Sequence, residues 1–399
     1  MSIPPVSREA GRARVAVALL FLTNGAIFAN LLPRYPAIKE ALGLSNAEFG
    51  IAVASFPLGA LMAGLAAGAL IRRFRSSRVA VAGTILTAVG VLAAGVSPQW
   101  ALLAAALFVA GAMDAITDVA QNSHGLRVQR LYGRSILNSF HAVWSIGAVI
   151  GGLMGAAAAG IGLPLGVHLG ASAVLFGVVS LISYRLMLRG PEPVEEVAAP
   201  LPTAKIRSVR GARVARYAVL VALVLIAASG SVVEDAGSTW SAIYLSGSLG
   251  AGASAAAFGF IALVGAQFVG RLIGDRLVDR FGQRAVARTG GIVAALGMGL
   301  ALVFPTIPGT IVGFAAAGLG IATLVPAAMH AADELPGLRP GSGLTIVSWL
   351  MRLGFLLSPP IVGIIADASS LRTGLFVVPL AGVVVAVLAS VLSKRMPAK

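Results

Sequence analysis

Residues 101–122 read ALLAAALFVAGAMDAITDVAQN, a run in which only Asp114 and Asp118 carry charge. At a rise of about 1.5 Å per residue, a helix of this length spans the roughly 30 Å of hydrocarbon in a bilayer. Similar apolar stretches recur at 15–33, 47–70, 79–97, 136–159, 167–188, 214–243, 254–275, 285–304, 310–330, 342–365 and 372–393, which makes twelve in all. Long continuous runs predict an all-α membrane protein and exclude a β-barrel, whose strands alternate over short segments. Composition agrees: of 399 residues, 58% are hydrophobic and 11% charged, with a mean hydropathy of +0.92. So few charges cannot clothe a water-facing surface. The chain has no Cys, which removes disulfides, thiolate catalysis and Cys-ligated metals.

The net charge of +15 is explained by its placement. Alternate connections collect Arg72, Arg73, Arg75 and Arg78, then Arg127, Arg130 and Arg134, then Arg207, Arg210, Arg213 and Arg216, then Arg276, Arg280 and Arg284, and finally Lys394 and Arg395. The opposite connections hold only Arg34, Lys39 and Arg372. This is the positive-inside bias, so both termini are expected in the cytoplasm, and the charge is a topology signal rather than a nucleic-acid footprint. Arg8, Arg12 and Arg14 ahead of an apolar run resemble a signal peptide, but no small-residue cleavage site follows, and the run reads as the first span.

The polar, Pro-rich stretch 190–213 divides six spans from six, giving an N-terminal half at 1–189, a cytoplasmic linker and a C-terminal half at 214–399. The halves repeat each other. Asn24-Gly25, Asn30 and Tyr35-Pro36-Ala37-Ile38 align without gaps to Ser229-Gly230, Asp235 and Trp240-Ser241-Ala242-Ile243. Arg72-Arg73-Phe74-Arg75 likewise stands opposite Asp279-Arg280-Phe281-Gly282.

The segment Gly274-Asp275-Arg276-Leu277-Val278-Asp279-Arg280-Phe281-Gly282-Gln283-Arg284 resembles the loop motif of major facilitator superfamily transporters, and the likeness covers essentially the whole chain. It implies twelve helices in two pseudo-symmetric six-helix halves. It also implies a conformational latch in which Asp275, Asp279, Arg280, Gly282 and Arg284 engage a neighbouring helix end. The first-half copy departs from the motif, with Arg72 in place of Asp and Arg75 in place of Gly, which sets a latch there in question. Asp114 through Asp118 to Asn122, Gly133-Arg134, Ser139-Phe140-His141 with Trp144-Ser145, and Trp240 to Leu245 resemble a bacterial inner-membrane group that includes the rhizopine-locus membrane protein. The Gly-Pro motif of antiporters is partial: Gly147, Gly151, Gly152 and Gly155 are present without the Pro, which weakens a drug-antiporter reading.

Ionisable groups within a bilayer cost at least about 2.5 kcal/mol each on insertion scales, so those in the spans are the functional candidates. Asp114, Asp118 and Asn122, four apart, share one helix face that should line a cavity. His141 falls at the depth of Asp118, where the two can share a proton or His141 can bond a backbone carbonyl. Glu234 and Asp235 lie in a seventh helix expected to be broken, with one of the pair facing the cavity. Arg352, mid-span, should need an acidic partner or an anionic ligand. Asn24, Asn30, Asn122, Asn138, Ser145 and Gln267 are the candidate polar lining for a solute, with Trp144, Trp240 and Trp349 as stacking surfaces or packing. Gly64 with Gly68 and Gly147 with Gly151 read as helix-packing pairs.

No Walker A, G-x-S-x-G, H-E-x-x-H or dinucleotide motif occurs, so neither an enzyme nor an ATP-driven pump is expected. The expectation is a secondary transporter of a small polar solute (a sugar, polyol or amino-sugar) in a bacterial inner membrane. It works by alternating access, with the proton as coupling ion, no cofactor or metal, and a monomeric chain in the lipid bilayer. The Asp114, Asp118, His141, Glu234, Asp235 and Arg352 set carries the coupling. The alternatives are a proton-driven multidrug or metabolite exporter, a non-transporting receptor of the same fold, and a membrane-embedded enzyme.

Overall fold

The computed structural model describes residues 7–133, 136–190, 210–336, 338 and 341–393, with side chains described for all of these except Asn138 and 210–215. The stretch 191–209, Arg134, Lys394, Arg395 and the side chains of Asn138, Arg210 and Arg213 therefore lie outside the described residues. Twelve helices are long and apolar enough to cross a membrane. They are α1 (Arg8–Ala41), α2 (Asn46–Phe74), α3 (Ser76–Gly95), α4 (Trp100–Tyr132), α5 (Ser139–Gly160), α6 (Leu165–Leu186), α7 (Arg216–Ser248), α8 (Ala253–Phe281), α9 (Gln283–Val303), α10 (Ile307–Asp333), α11 (Ser342–Ala368) and α12 (Leu371–Val391). No strand occurs among the described residues. Every expected span is present; α4 continues to Tyr132 and ends where Gly133 turns left-handed at φ +68°.

The halves pack by one scheme. α1 contacts α5 and α6, α2 contacts α4, and α3 contacts α4 and α6; six helices later, α7 contacts α11 and α12, α8 contacts α10, and α9 contacts α10 and α12. The repeat extends to backbone and side-chain detail. Arg75 has φ 74° and ψ 145°, and its counterpart Gly282 has φ 83° and ψ 154°. Arg73 stands over the Phe74 ring at 5.4 Å, and Arg280 over Phe281 at 5.2 Å.

Small residues set the closest seams, as expected where apolar solvent gives helices no hydrophobic drive to associate. Gly147, Gly151 and Gly155 lie along α5 against the backbone carbonyls of Leu22, Ala26 and Asn30 on α1, with no room for a Cβ. Both series step by four, so two ridges run together for two turns. A Cβ on Gly64 or Gly68, the other expected packing pair, would meet no neighbouring helix. Their end of α2 faces the open side of the molecule described below. Outward-facing apolar side chains such as Val174, Leu181, Leu380 and Val387 form a surface suited to lipid.

Candidate functional site

The two halves meet along α2–α11 and α5–α8 and enclose a cavity of about 310 Å³ between them. On the N-terminal wall, α1 presents Asn24, Phe28 and Leu32 at four-residue spacing, α4 presents Asp114 and α5 presents Trp144. Asn24 joins three helices: its amide donates to Asp114 Oδ1 at 2.7 Å, and its carbonyl accepts from Trp144 Nε1 at 2.8 Å. Below Asp114 the polar face of α4 continues as its spacing requires. Asp118 Oδ1 accepts from Asn122 Nδ2 at 2.9 Å, and Asn122 Oδ1 lies 3.2 Å from His141 Nε2. The direct Asp118–His141 contact expected from depth is therefore replaced by a relay through Asn122, whose amide has both the donor and the acceptor to fill the gap.

On the C-terminal wall, Glu234 and Asp235 both line the cavity, together with Ser238 and Thr239 one turn on. This corrects the expectation that one of the pair would turn away: residues about 100° apart both reach a cavity that wraps round the helix. α7 is also unbroken at these residues. It is regular through Ile243 and loosens only afterwards, in a π-helical turn at Tyr244–Ser248. Interruptions of the α-helix lie elsewhere, among them Ala322–Thr323 in α10 and Met351 in α11, immediately before Arg352. Gln267 on α8 donates to Glu234 Oε2 at 2.8 Å, and Thr239 Oγ1 lies 3.4 Å from Asp235 Oδ1.

Arg352 lines the cavity, is exposed there and makes no ion pair among the described residues. The expected acidic partner is not engaged: the guanidinium is exposed at mid-span, with Asp118 within Coulombic reach of it. Arg271 on α8, which sequence reasoning passed over, is also exposed and acts electrostatically on His141 across the α5–α8 seam. Its position inside the 254–275 span was the available signal.

Exposure grades along the site. Asp235 is 9% exposed, Asp114 is half-buried, and Asp118, His141, Arg271 and Arg352 are exposed. α4 runs toward the face that carries the chain's N-terminus, so the cavity widens on that side. The opposite end is sealed. Phe49 of α2 meets Tyr35 of α1 at 5.1 Å and Trp240 of α7 at 5.9 Å, both edge-on, and all three are fully buried. Further out, Gly50 packs on the Pro359 carbonyl and Gly363 on that of Asn46. The Asp367 carboxylate accepts from the Asn46 and Ala47 backbone N–H groups at 2.9 and 2.8 Å.

Other candidates fall outside the cavity. Asn30 is buried and donates to Ser172 at 2.8 Å, Ser145 is buried against its own helix, donating to the His141 carbonyl, and Trp240 belongs to the seal. Gln267 stands behind Glu234, and Trp349 is exposed but does not line the cavity. Of the latch residues, Asp275, Asp279 and Arg280 are exposed without an ion pair among the described residues. Gly282 takes the left-handed turn between α8 and α9, and Arg284 ties α9 to the end of α12 by donating to the Leu392 carbonyl at 2.9 Å. Among the described residues no cluster of His, Asp or Glu is fit to hold a metal.

Comparison with known proteins follows the same lines. The model of the Major Facilitator Superfamily matches residues 17–277 and 236–399. The transporter y4wD of Sinorhizobium fredii is 32% identical over 95% of this chain and 97% of its own. The membrane protein MosC of Rhizobium meliloti is 29% identical over 93% and 88%. Among solved structures, a bacterial homologue of the human lysosomal transporter Spinster, inward-facing and unoccupied, superposes with a TM-score of 0.74 at 15% identity, covering 99% of this chain and 100% of that one.

Proposed function

The chain belongs to the Major Facilitator Superfamily of transporters, and from that premise we propose that it carries a small polar organic solute across a bacterial inner membrane by alternating access. The solute is of sugar, polyol or amino-sugar type, the proton is the coupling ion, and the working unit is a monomer with both termini in the cytoplasm. One observation carries the reading. One cavity at mid-span draws polar groups from both halves (Asn24 and Asp114 from one, Glu234, Asp235 and Arg352 from the other), and it is sealed on one side and widens toward the other. A solute held by both halves makes different contacts when they rock, which alternating access requires.

Proton coupling rests on the column below. A proton on Asp118 Oδ1 displaces the Asn122 amide that donates to it, and so reorients the link to His141 while removing the charge that acts on Arg352. The halves then rock with a different set of cross-cavity attractions.

A second reading, an exporter of larger amphipathic compounds, draws on the Phe28–Phe56 stack at 4.1 Å and on Phe260 and Phe355, which concentrate the chain's few aromatics in the cavity. Counterflow of radiolabelled sugars, polyols, amino-sugars and lipophilic drugs in proteoliposomes separates the readings. Exchange of the polar compounds that is lost in Arg352→Gln supports the first. Exchange confined to the lipophilic compounds supports the second, and no exchange of either class overturns both.

A further inference from the structure

Asp235 combines features that neither its neighbours nor the seal explain. It is 9% exposed yet lines the cavity, and its Oδ2 has no hydrogen-bond partner among the described residues. Its other oxygen has Thr239 Oγ1 at 3.4 Å, a long contact, and the Ser358 hydroxyl stands near the carboxyl group while also donating to the Val232 carbonyl at 3.5 Å. Buried carboxylates are ordinarily paired or fully hydrogen-bonded, since an unpaired one carries its whole desolvation penalty. Among the described residues no cation pairs with it: Arg352 reaches the same cavity without an ion pair to a described acid. Glu234, next in the chain, adds a second carboxyl group to the wall, and Asp114 faces them from the other half. Three acids against one Arg leave the cavity short of positive charge.

The rest of the lining decides what kind of cation fits. Phe28 and Phe56 stack, and Phe260 and Phe355 complete an apolar wall beside the acids. Metal-type ligation is absent among the described residues, and an aromatic wall offers an inorganic ion no oxygen ligands. It does offer an alkylammonium both hydrocarbon contact and cation–π attraction.

We propose that Asp235, seconded by Glu234, is the subsite for a positively charged nitrogen on the transported solute, whose carbon skeleton lies over the Phe28–Phe56 face. This deepens the transporter reading by giving the solute a class, an organic amine, and it rests on that reading.

The test uses compounds matched in shape and differing in charge: phenethylamine against 2-phenylethanol, cyclohexylamine against cyclohexanol, and hexylamine against hexanol. Binding to the purified full-length protein is measured by calorimetry. Each amine should bind at least about tenfold more tightly than its alcohol. That preference should vanish in the isosteric Asp235→Asn, weaken in Glu234→Gln and persist in Asp367→Asn, whose site is at the sealed outer end. The wild-type comparison stands even if a variant fails to fold. Equal binding of amine and alcohol, a preference that survives Asp235→Asn, or no binding of any pair at about 10 mM overturns the subsite. Counterflow of a neutral polyol in the same preparation would leave transport standing while the amine subsite falls, so the two failures are distinguishable.

Discussion

Asp367, at the end of α11, caps α2 through Asn46: its Oδ1 accepts from the Asn46 backbone N–H at 2.9 Å and side-chain amide at 2.8 Å, while Oδ2 accepts from the Ala47 N–H at 2.8 Å. One half of the molecule thus supplies the negative charge at the helix N-terminus of the other, where the macrodipole favours it. These bonds exist only while the outer end is shut. Asp367→Asn keeps the shape and removes the charge, and should cost the shut state about 1 kcal/mol, a roughly fivefold shift toward outer opening. Spin labels at Ala41 and Ala368 should show a larger population at long distance in the variant. An unchanged distribution would mean that the contact does not hold the seam.

Gly50 and Gly363 make the same seam by size. A Cβ at either would collide with a backbone carbonyl across the halves, Pro359 for Gly50 and Asn46 for Gly363. Gly50→Val and Gly363→Val should therefore open the outer end more than Asp367→Asn does, because backbone cannot retreat without moving a helix. Gly59 meets the Phe108 carbonyl within its own half, so Gly59→Val should lower thermal stability without opening the seam. The same spin-label pair, read beside a melting curve, distinguishes the two outcomes.

Arg75 holds a backbone conformation that glycine adopts freely and other residues only under strain; its counterpart in the other half is Gly282. Arg75→Gly should raise stability by about 1 kcal/mol, the lower end of the cost of such a conformation, because a flexible glycine loses more entropy on folding. Gly282→Ala should destabilise by a similar amount. Thermal unfolding in detergent reads both.

Asn24 holds Asp114 and Trp144 together, so its removal leaves one carboxylate oxygen and one indole N–H without their partners. Asn24→Ala should cut solute exchange by about tenfold or more, the scale of one lost charge-assisted bond, while Trp144→Phe, which leaves the Asn24–Asp114 bond intact, should cost less. Counterflow rates of the two variants, normalised to incorporated protein, check the order.

The spans were legible because hydropathy over some twenty residues is a property of the local chain, and lipid leaves the backbone no alternative to a helix. The α4 face was legible for the same reason: four-residue spacing decides the facing of Asp114, Asp118 and Asn122 whatever packs against them. What failed depended on the other half of the molecule. For Arg352 the sequence gives the depth in the span, which implies an acid, but not the open cavity in front of it. Trp240 and Asn30 lie at cavity-type positions yet are buried by Phe49 and Ser172, which sit elsewhere in the chain. The break expected near Glu234 was read from glycines that serve instead to let helices approach: Gly237 sits against Leu263.

Alternating access around the cavity is tested most directly by the sidedness of Ser238, which lines it half-buried on α7. The chain contains no Cys, so Ser238→Cys gives a single thiol. A membrane-impermeant maleimide would be applied from each side of sealed vesicles of known orientation, with and without Gly50→Val. Alternating access requires labelling from the N-terminal side in the parent and a gain of labelling from the opposite side when the outer seam is forced open. Labelling from one side alone in both proteins would contradict it.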